Sequence, residues 1–273
     1  MELGPAGTST RVIGLTGAPG AGKSTVTSAL VRAFRARGRR VAVLAVDPSS
    51  PFTGGALLGD RVRMQEHATD DGVYIRSMGS RGQLGGLAAA TPRAIRVLAA
   101  AGYEVILVET VGVGQAEVEI ASAADTTAVL VVPGMGDSIQ AAKAGVLEVA
   151  DVLVVNKADR PDTQATLRDL RAMVALAPGE WKPPIVSTVA TAGQGIDDLV
   201  AALDRHDAWL DASGERSRRR LARARDEVTA LAFGALARRL SVPDALAARV
   251  AEGRLDPLTA AEELLSAAGF AKD

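Results

Sequence analysis

The eight residues Gly17-Ala18-Pro19-Gly20-Ala21-Gly22-Lys23-Ser24 restrict the fold of this chain more than any other feature. They fit G-x-x-x-x-G-K-S, follow an apolar run at 12–16 and lead directly into a helical pattern at 23–37. A strand, a glycine-rich turn and a helix in that order gather backbone N–H groups and the positive helix end around one point, which is a cradle for phosphate. Lys23 can reach β- and γ-oxygens from there, the Ser24 hydroxyl can ligate Mg²⁺, and Thr25 completes the expected phosphate contacts.

Further runs rich in Val, Ile and Leu lie at 41–46, 105–108, 128–132, 152–155 and 185–188, with helical patterns at 91–101, 138–147 and 163–175. Continuous apolar strands alternating with helices predict an α/β fold, a P-loop NTPase whose mainly parallel sheet is flanked by helices. Aromatic residues are only 3% against 48% hydrophobic, so the core is expected from Ala, Val, Leu and Ile. After Leu203 the pattern changes to a charged helix at 215–237, opening with RSRRRLARAR, then a Pro243 break and shorter helices at 244–251 and 257–268. This C-terminal helical extension has too few apolar residues for its own core and is expected to pack on the main domain or on another subunit. The division is therefore a tail at 1–11, a nucleotide domain at 12–210 and the extension at 211–273. The basic run at 216–225 reads as a solvated face.

A net charge of −1 gives no electrostatic ground for nucleic acid or a membrane surface as partner. With no cysteine there is no disulfide, thiolate metal site or Cys nucleophile. His67 and His206 stand far apart without zinc-site spacing, and the opening MELGPAGTST lacks the pattern of a secretory signal, so a cytoplasmic location is expected.

Ligands of parallel sheets bind at strand carboxyl ends, where two carboxylates fall: Asp47 in VLAVDPSS and Glu109 in VILVETVGVGQ. Either suits Mg²⁺, directly or through water, and Asp60 in the Gly-rich segment between them is a candidate for the same shell. Glu109 stands where the usual residue is Asp, and Gly112 offers an N–H to the γ-phosphate. Where small regulatory GTPases place a water-orienting Gln, this chain has Val113; Gln115 either takes that role or serves the loop backbone. The glycine-dense stretch 77–86 is expected to be a loop, whose Arg81 faces a partner or a phosphate.

VLVVNKAD ends another strand with Asn156, Lys157 and Asp159. The Asp159 carboxylate can accept from guanine N1–H and the 2-amino group, which adenine lacks; Asn156 can brace the loop and Lys157 can lie across the base. The Ala190 N–H, after the last strand, is a candidate donor to guanine O6.

The segments GLTGAPGAGKST, VLAVDPSSPFTGGALLGDRVRM, IRSMGSRGQLGG, ILVETVGVGQ, GMGDSIQAAKAG and VNKAD together resemble the MeaB/ArgK/MMAA family of P-loop GTPases, over nearly everything after residue 10. The resemblance implies a GTP-hydrolysing chaperone that gates cobalamin loading and protection of an adenosylcobalamin-dependent acyl-CoA mutase such as methylmalonyl-CoA mutase. It implies Mg²⁺ as cofactor, slow hydrolysis until a partner orders the site, and a homodimer formed through the helical extension. It matches Lys23 and Ser24 to phosphate and metal, Asp47, Asp60 and Glu109 to the Mg²⁺ shell, and Asn156, Lys157 and Asp159 to guanine. It also implicates Gln140 and Lys143 in coupling mutase contact to hydrolysis, although by pattern alone Lys143 is an ordinary solvated helix residue. Many relatives carry a helical arm before the first strand, so contacts through such an arm are not expected here. A metal-insertion GTPase and a small-molecule kinase are the alternative functions, the first expected to show a Cys or His relay and the second an acceptor pocket.

Overall fold

The computed structural model describes residues 10–47, 64–79, 90–110, 123–134 and 149–270. Within them β1 (Arg11–Gly17), β2 (Val41–Asp47), β3 (Val73–Gly79), β4 (Val105–Thr110), β5 (Thr126–Val131), β6 (Val152–Asn156) and β7 (Ile185–Thr188) form one sheet in the order β3-β2-β4-β1-β5-β6-β7. Every pairing among them is parallel. The helices are α1 (Lys23–Ala36), α2 (Ala90–Ala100), α3 (Thr163–Leu176), α4 (Ile196–Ala212), α5 (Glu215–Arg239), α6 (Asp244–Ala251) and α7 (Pro257–Ala267).

Strand side chains alternate between two faces, so each buried strand feeds two cores. On one face Ile13, Leu15, Val43, Leu107 and Leu130 meet Val26, Leu30 and Phe34 of α1 and Leu199, Val200 and Leu203 of α4. On the other, Val12, Leu44, Ile106 and Val108 pack with Leu98 of α2, while Val129, Leu153 and Val155 pack with Leu167 and Leu170 of α3. The aliphatic core and the mainly parallel sheet are as expected.

Three readings of the sequence change. β3 was not anticipated, and it takes Ser77, Met78 and Gly79 out of the expected loop. VYIRSMG has no continuous apolar run because β3 is an edge strand, paired only with β2 and partly exposed. α4 runs through residue 203, where the pattern seemed to break, and buries Leu203, His206 and Leu210. The expected helix at 138–147 lies outside the described residues.

By its contacts the chain forms two compact units, Met1–Arg223 and Ala224–Asp273. In the second, Arg249 pairs with Glu263 at 2.8 Å, and Asp256 caps α7 by accepting the Leu258 and Thr259 N–H groups at 3.0 Å.

The third change concerns the basic run. Asp125 stands just before β5 and Asp151 just before β6, each accepting an N–H from the neighbouring strand: Val12 at 3.2 Å and Thr127 at 2.8 Å. Both carboxylates are buried. Arg219 grips Asp151 with two bonds of 2.9 and 3.0 Å, and Arg223 and Arg220 reach Asp125 at 2.5 and 3.4 Å. His206 Nε2 lies 3.2 Å from Asp151, its Nδ1 2.9 Å from the Thr126 hydroxyl, and Trp181 donates to the Asp151 carbonyl at 2.9 Å. Arg219, Arg220 and Arg223 are thus ion-pair partners of the first unit, while Arg218 remains solvated.

Burial by itself raises the Asp125 carboxyl, but Arg223, Arg220 and the Val12 N–H outweigh it; at Asp151 burial is outweighed by His206 and Arg219. Both acids are held below the ordinary carboxylate value, so their stabilisation is present above about pH 4 and is lost as pH falls through their lowered folded values. Asp151→Asn is expected to cost about 3 kcal/mol at neutral pH, because Arg219 loses its buried charged partner and keeps only Glu215 at 3.3 Å, and to flatten the acid limb of stability against pH. Thermal unfolding of both proteins from pH 3 to pH 8 checks this; parallel acid limbs would refute it.

Candidate functional site

The phosphate loop begins where β1 leaves the sheet. Gly17 has φ +140°, and a Cβ there would stand 2.2 Å from the Leu130 carbonyl oxygen, so only glycine lets β1 turn away beside β5. Gly22 has φ +88°, with its missing Cβ 2.4 Å from Asn156 Nδ2. Between them Pro19 and Gly20 are exposed, Ala18 is half-buried and Ala21 is buried. Lys23 opens α1, and its buried ammonium group donates to the Gly17 and Ala18 carbonyls at 2.6 and 3.1 Å, inside the loop it is expected to serve.

Ser24 and Glu109, both expected in the Mg²⁺ shell, stand side by side. Parallel register sets Glu109 of β4 beside Leu15 of β1 and Ala45 of β2, under the start of α1. The Ser24 hydroxyl donates to Glu109 Oε1 at 2.6 Å, and the Thr27 hydroxyl lies 3.0 Å from Oε2 and 2.9 Å from the Lys23 carbonyl. Glu109 is 1% exposed, and a buried carboxylate beside a hydroxyl is a hard-oxygen donor set that fits Mg²⁺. Asp47 ends β2 in register with Gly79. The Asp47 side chain lies outside the described residues, as do Asp60, Arg81, Gly112, Val113, Gln115, Gln140 and Lys143.

The base motif is built around Asn156, which ends β6 in register with Thr188 of β7 and is 2% exposed. Its Nδ2 donates to the Ala21 carbonyl at 2.9 Å, and its Oδ1 accepts from the Thr188 hydroxyl at 3.0 Å and the Ala190 N–H at 3.3 Å. The Ala190 N–H, expected to face guanine O6, is therefore engaged with Asn156. Lys157 takes φ +57°, which non-glycine residues rarely adopt, and its Nζ donates to the Gly20 carbonyl at 2.9 Å. Gly22, Thr25, Asn156, Lys157, Asp159 and Ala190, with Arg160, Val189 and Thr191, line one cavity of about 280 Å³. Asp159 is exposed on that wall, where its carboxylate is open to a base.

Sequence reasoning missed Thr27, Thr188 and a third cluster. The Ser28 hydroxyl is bonded to the Glu66 carboxylate and lies 2.9 Å from His67 Nε2, and Arg32 pairs with Glu66 at 2.6 Å. Together they fasten the turn Gln65–His67 to α1. The Ser28 hydrogen bond, opposed by burial and aided by Arg32, holds the Glu66 carboxyl below its usual value. No motif marks these residues; the only readable signal is that Ser24, Thr27 and Ser28 fall on one helical face.

A glycine-rich loop between β1 and α1 and the strand end carrying Asn156, Lys157 and Asp159, on one cavity of a parallel α/β sheet, are the architecture of a P-loop GTPase. Residues 2–244 match the family model described as Methylmalonyl Co-A mutase-associated GTPase MeaB, and the chain belongs to that family. A putative GTPase of Pyrococcus horikoshii is 47% identical over 263 residues, covering 93% of this chain and 83% of that protein. GTPase ArgK of Escherichia coli is 41% identical over 209 residues, 74% of this chain and 63% of that one. A crystal structure titled LAO/AO transport system kinase superposes with a TM-score of 0.70 at 28% identity, covering 97% of this chain and 83% of that one. The chain binds and hydrolyses GTP, with Mg²⁺ as cofactor.

Asn156→Ala removes three buried hydrogen bonds and is expected to cost about 2–4 kcal/mol of stability together with nucleotide affinity. Thermal unfolding and a fluorescent-GDP titration measure both losses; an unchanged midpoint would contradict the bridging role.

Proposed function

We propose that this GTPase is a chaperone of an adenosylcobalamin-dependent acyl-CoA mutase, using GTP hydrolysis to gate cobalamin loading and to protect the loaded enzyme. The observation that carries the nucleotide half is the Asn156 bridge, which sets the phosphate loop and the base motif on one cavity. The mutase half is supported by the family, whose description names association with methylmalonyl-CoA mutase. Methylmalonyl-CoA mutase is the specific partner proposed.

Each residue then has a task. The loop from Gly17 to Gly22 surrounds the phosphates with backbone N–H groups, Thr25 extends that contact, and Lys23 moves from its loop carbonyls to the β- and γ-oxygens. Ser24 and Glu109 hold Mg²⁺ with Asp47 and Asp60, and the ion when bound offsets charge developing on the phosphoryl oxygens. Asp159 accepts from guanine N1–H and the 2-amino group, Lys157 covers the base, the Ala190 N–H braces Asn156 behind it, and Gly112 donates to the γ-phosphate. Gln140 and Lys143 couple mutase contact to hydrolysis.

The second compact unit, Ala224–Asp273, exposes Val228, Phe233 and Leu258, apolar side chains of the kind a subunit contact covers, which supports a homodimer. The proposed location is cytoplasmic. Among the described residues no helix is long and apolar enough to cross a membrane.

Two experiments test this reading. Asp159→Asn is expected to weaken GTP binding about 100-fold and to favour xanthosine triphosphate, read by calorimetry; retained GTP preference would remove Asp159 from the base site. Purified methylmalonyl-, isobutyryl- and hydroxyisobutyryl-CoA mutases are then added to the GTPase assay and co-sedimented with GDP or a non-hydrolysable GTP analogue. Acceleration and nucleotide-dependent association with the methylmalonyl enzyme are expected, and failure with all three would end the chaperone reading.

A further inference from the structure

Glu109 is one methylene longer than the aspartate usual at its position, and a longer side chain has one more torsion to fix. The structure shows what fixes it. Both hydroxyls that address the carboxylate come from α1: Ser24 meets Oε1 at 2.6 Å and Thr27 meets Oε2 at 3.0 Å. Residues three apart lie on one helical face, so the two hydroxyls present themselves to the carboxylate as a pair. Thr27 is in turn held at 2.9 Å from the carbonyl of Lys23, the residue at the centre of the phosphate loop. Thr27 is fully buried and is not among the residues lining the base cavity, so it acts on nucleotide chemistry through the groups it touches, Glu109 and the Lys23 carbonyl.

We propose that Thr27 is a positioning residue for the GTPase centre. Its hydroxyl shares one proton between the Lys23 carbonyl and the far oxygen of Glu109, and so holds that oxygen while Oε1 stays on the Ser24 side, where the metal shell is assigned. The inference rests on the reading above that Ser24 and Glu109 hold Mg²⁺. Groups that orient a metal ligand without touching the metal affect affinity or activity by about 10- to 100-fold when removed. The match is one of length: aspartate at position 109 retracts its carboxylate by one methylene and loses the reach to Thr27. Thr27 and Glu109 therefore work as a pair, and neither substitution alone is neutral.

The test uses the full chain with Thr27→Val, Thr27→Ser, Glu109→Gln, Glu109→Asp and the Thr27→Val/Glu109→Asp double variant. Three quantities are read for each: the Mg²⁺ concentration giving half-maximal GTP hydrolysis, kcat and KM for GTP, and fluorescent-GDP affinity with Mg²⁺ or with chelator. Thr27→Val is expected to raise the Mg²⁺ requirement and lower kcat, each about tenfold. KM for GTP and GDP affinity in chelator stay unchanged, because the loop and base contacts are intact. Thr27→Ser keeps the hydroxyl and behaves as the parent. In the Glu109→Asp background Thr27→Val adds nothing.

An unchanged Mg²⁺ requirement in Thr27→Val, or an equal further loss on the Glu109→Asp background, overturns the proposal. So does a loss in Thr27→Ser, which would place the effect in packing; that variant keeps the proposal refutable even where Thr27→Val fails to fold. If Glu109→Gln itself leaves Mg²⁺ dependence untouched, the metal assignment falls, and the role of Thr27 falls with it.

Discussion

A parallel strand buried on both faces has no room for charged side chains along its length, because each would be stripped of water. Polar function is therefore driven to the strand ends, and the two ends of this sheet are used differently. The carboxyl ends of β1, β4, β6 and β7 deliver the phosphate loop, Glu109, Asn156 and Thr188 to one edge. The amino ends carry Asp125 and Asp151, which complete the ladder where the strands start by accepting the N–H groups of Val12 and Thr127. Nucleotide chemistry and structural anchoring are thereby kept a full strand length apart.

The amino edge shows the harder energetic problem. Two buried carboxylates cost several kcal/mol each unless paired, and one arginine apiece leaves lone pairs to satisfy. Asp151 is met by Arg219, His206 and a backbone N–H, and Asp125 by Arg223, Arg220 and a backbone N–H. That density of donors makes burial tolerable and explains why the arginines at 219, 220 and 223 turn inward. Trp181, His206 and Trp209 close over the same place, with ring centroids 4.8 to 5.6 Å apart, in a protein otherwise poor in aromatics.

What was legible in the sequence divides along the same line. The core strands announced themselves as unbroken apolar runs because they are buried twice over, whereas β3, an edge strand with one neighbour, mixes Arg76 and Ser77 into its pattern and did not. The motifs of the carboxyl edge were readable because phosphate and guanine demand fixed residue types at fixed spacing. The arginine clamp was not, since its partners are single aspartates 68 to 98 residues away and only the sheet order brings them near. Thr27 lies between these cases. Its helical face follows from spacing, but that the face meets Glu109 depends on β4 lying beside β1.

The base edge gives reason to treat the phosphate loop and the guanine motif as one mechanical body. Lys157 holds a left-handed backbone that costs about 1–2 kcal/mol for a side chain with a Cβ. The conformation persists because its neighbours over-determine it: Asn156 is tied to Ala21, Thr188 and Ala190, and the Ala158 N–H is bonded to the Thr188 carbonyl at 3.0 Å. The strained turn sends the Lys157 side chain back to the Gly20 carbonyl, so Lys157 and Asn156 grip the phosphate loop at two of its carbonyls. A shift of the loop around phosphate therefore stretches bonds that place the base, and a shift at the base pulls on the loop. Contacts made at one end of the cavity are thereby linked to the other through Asn156 and Lys157.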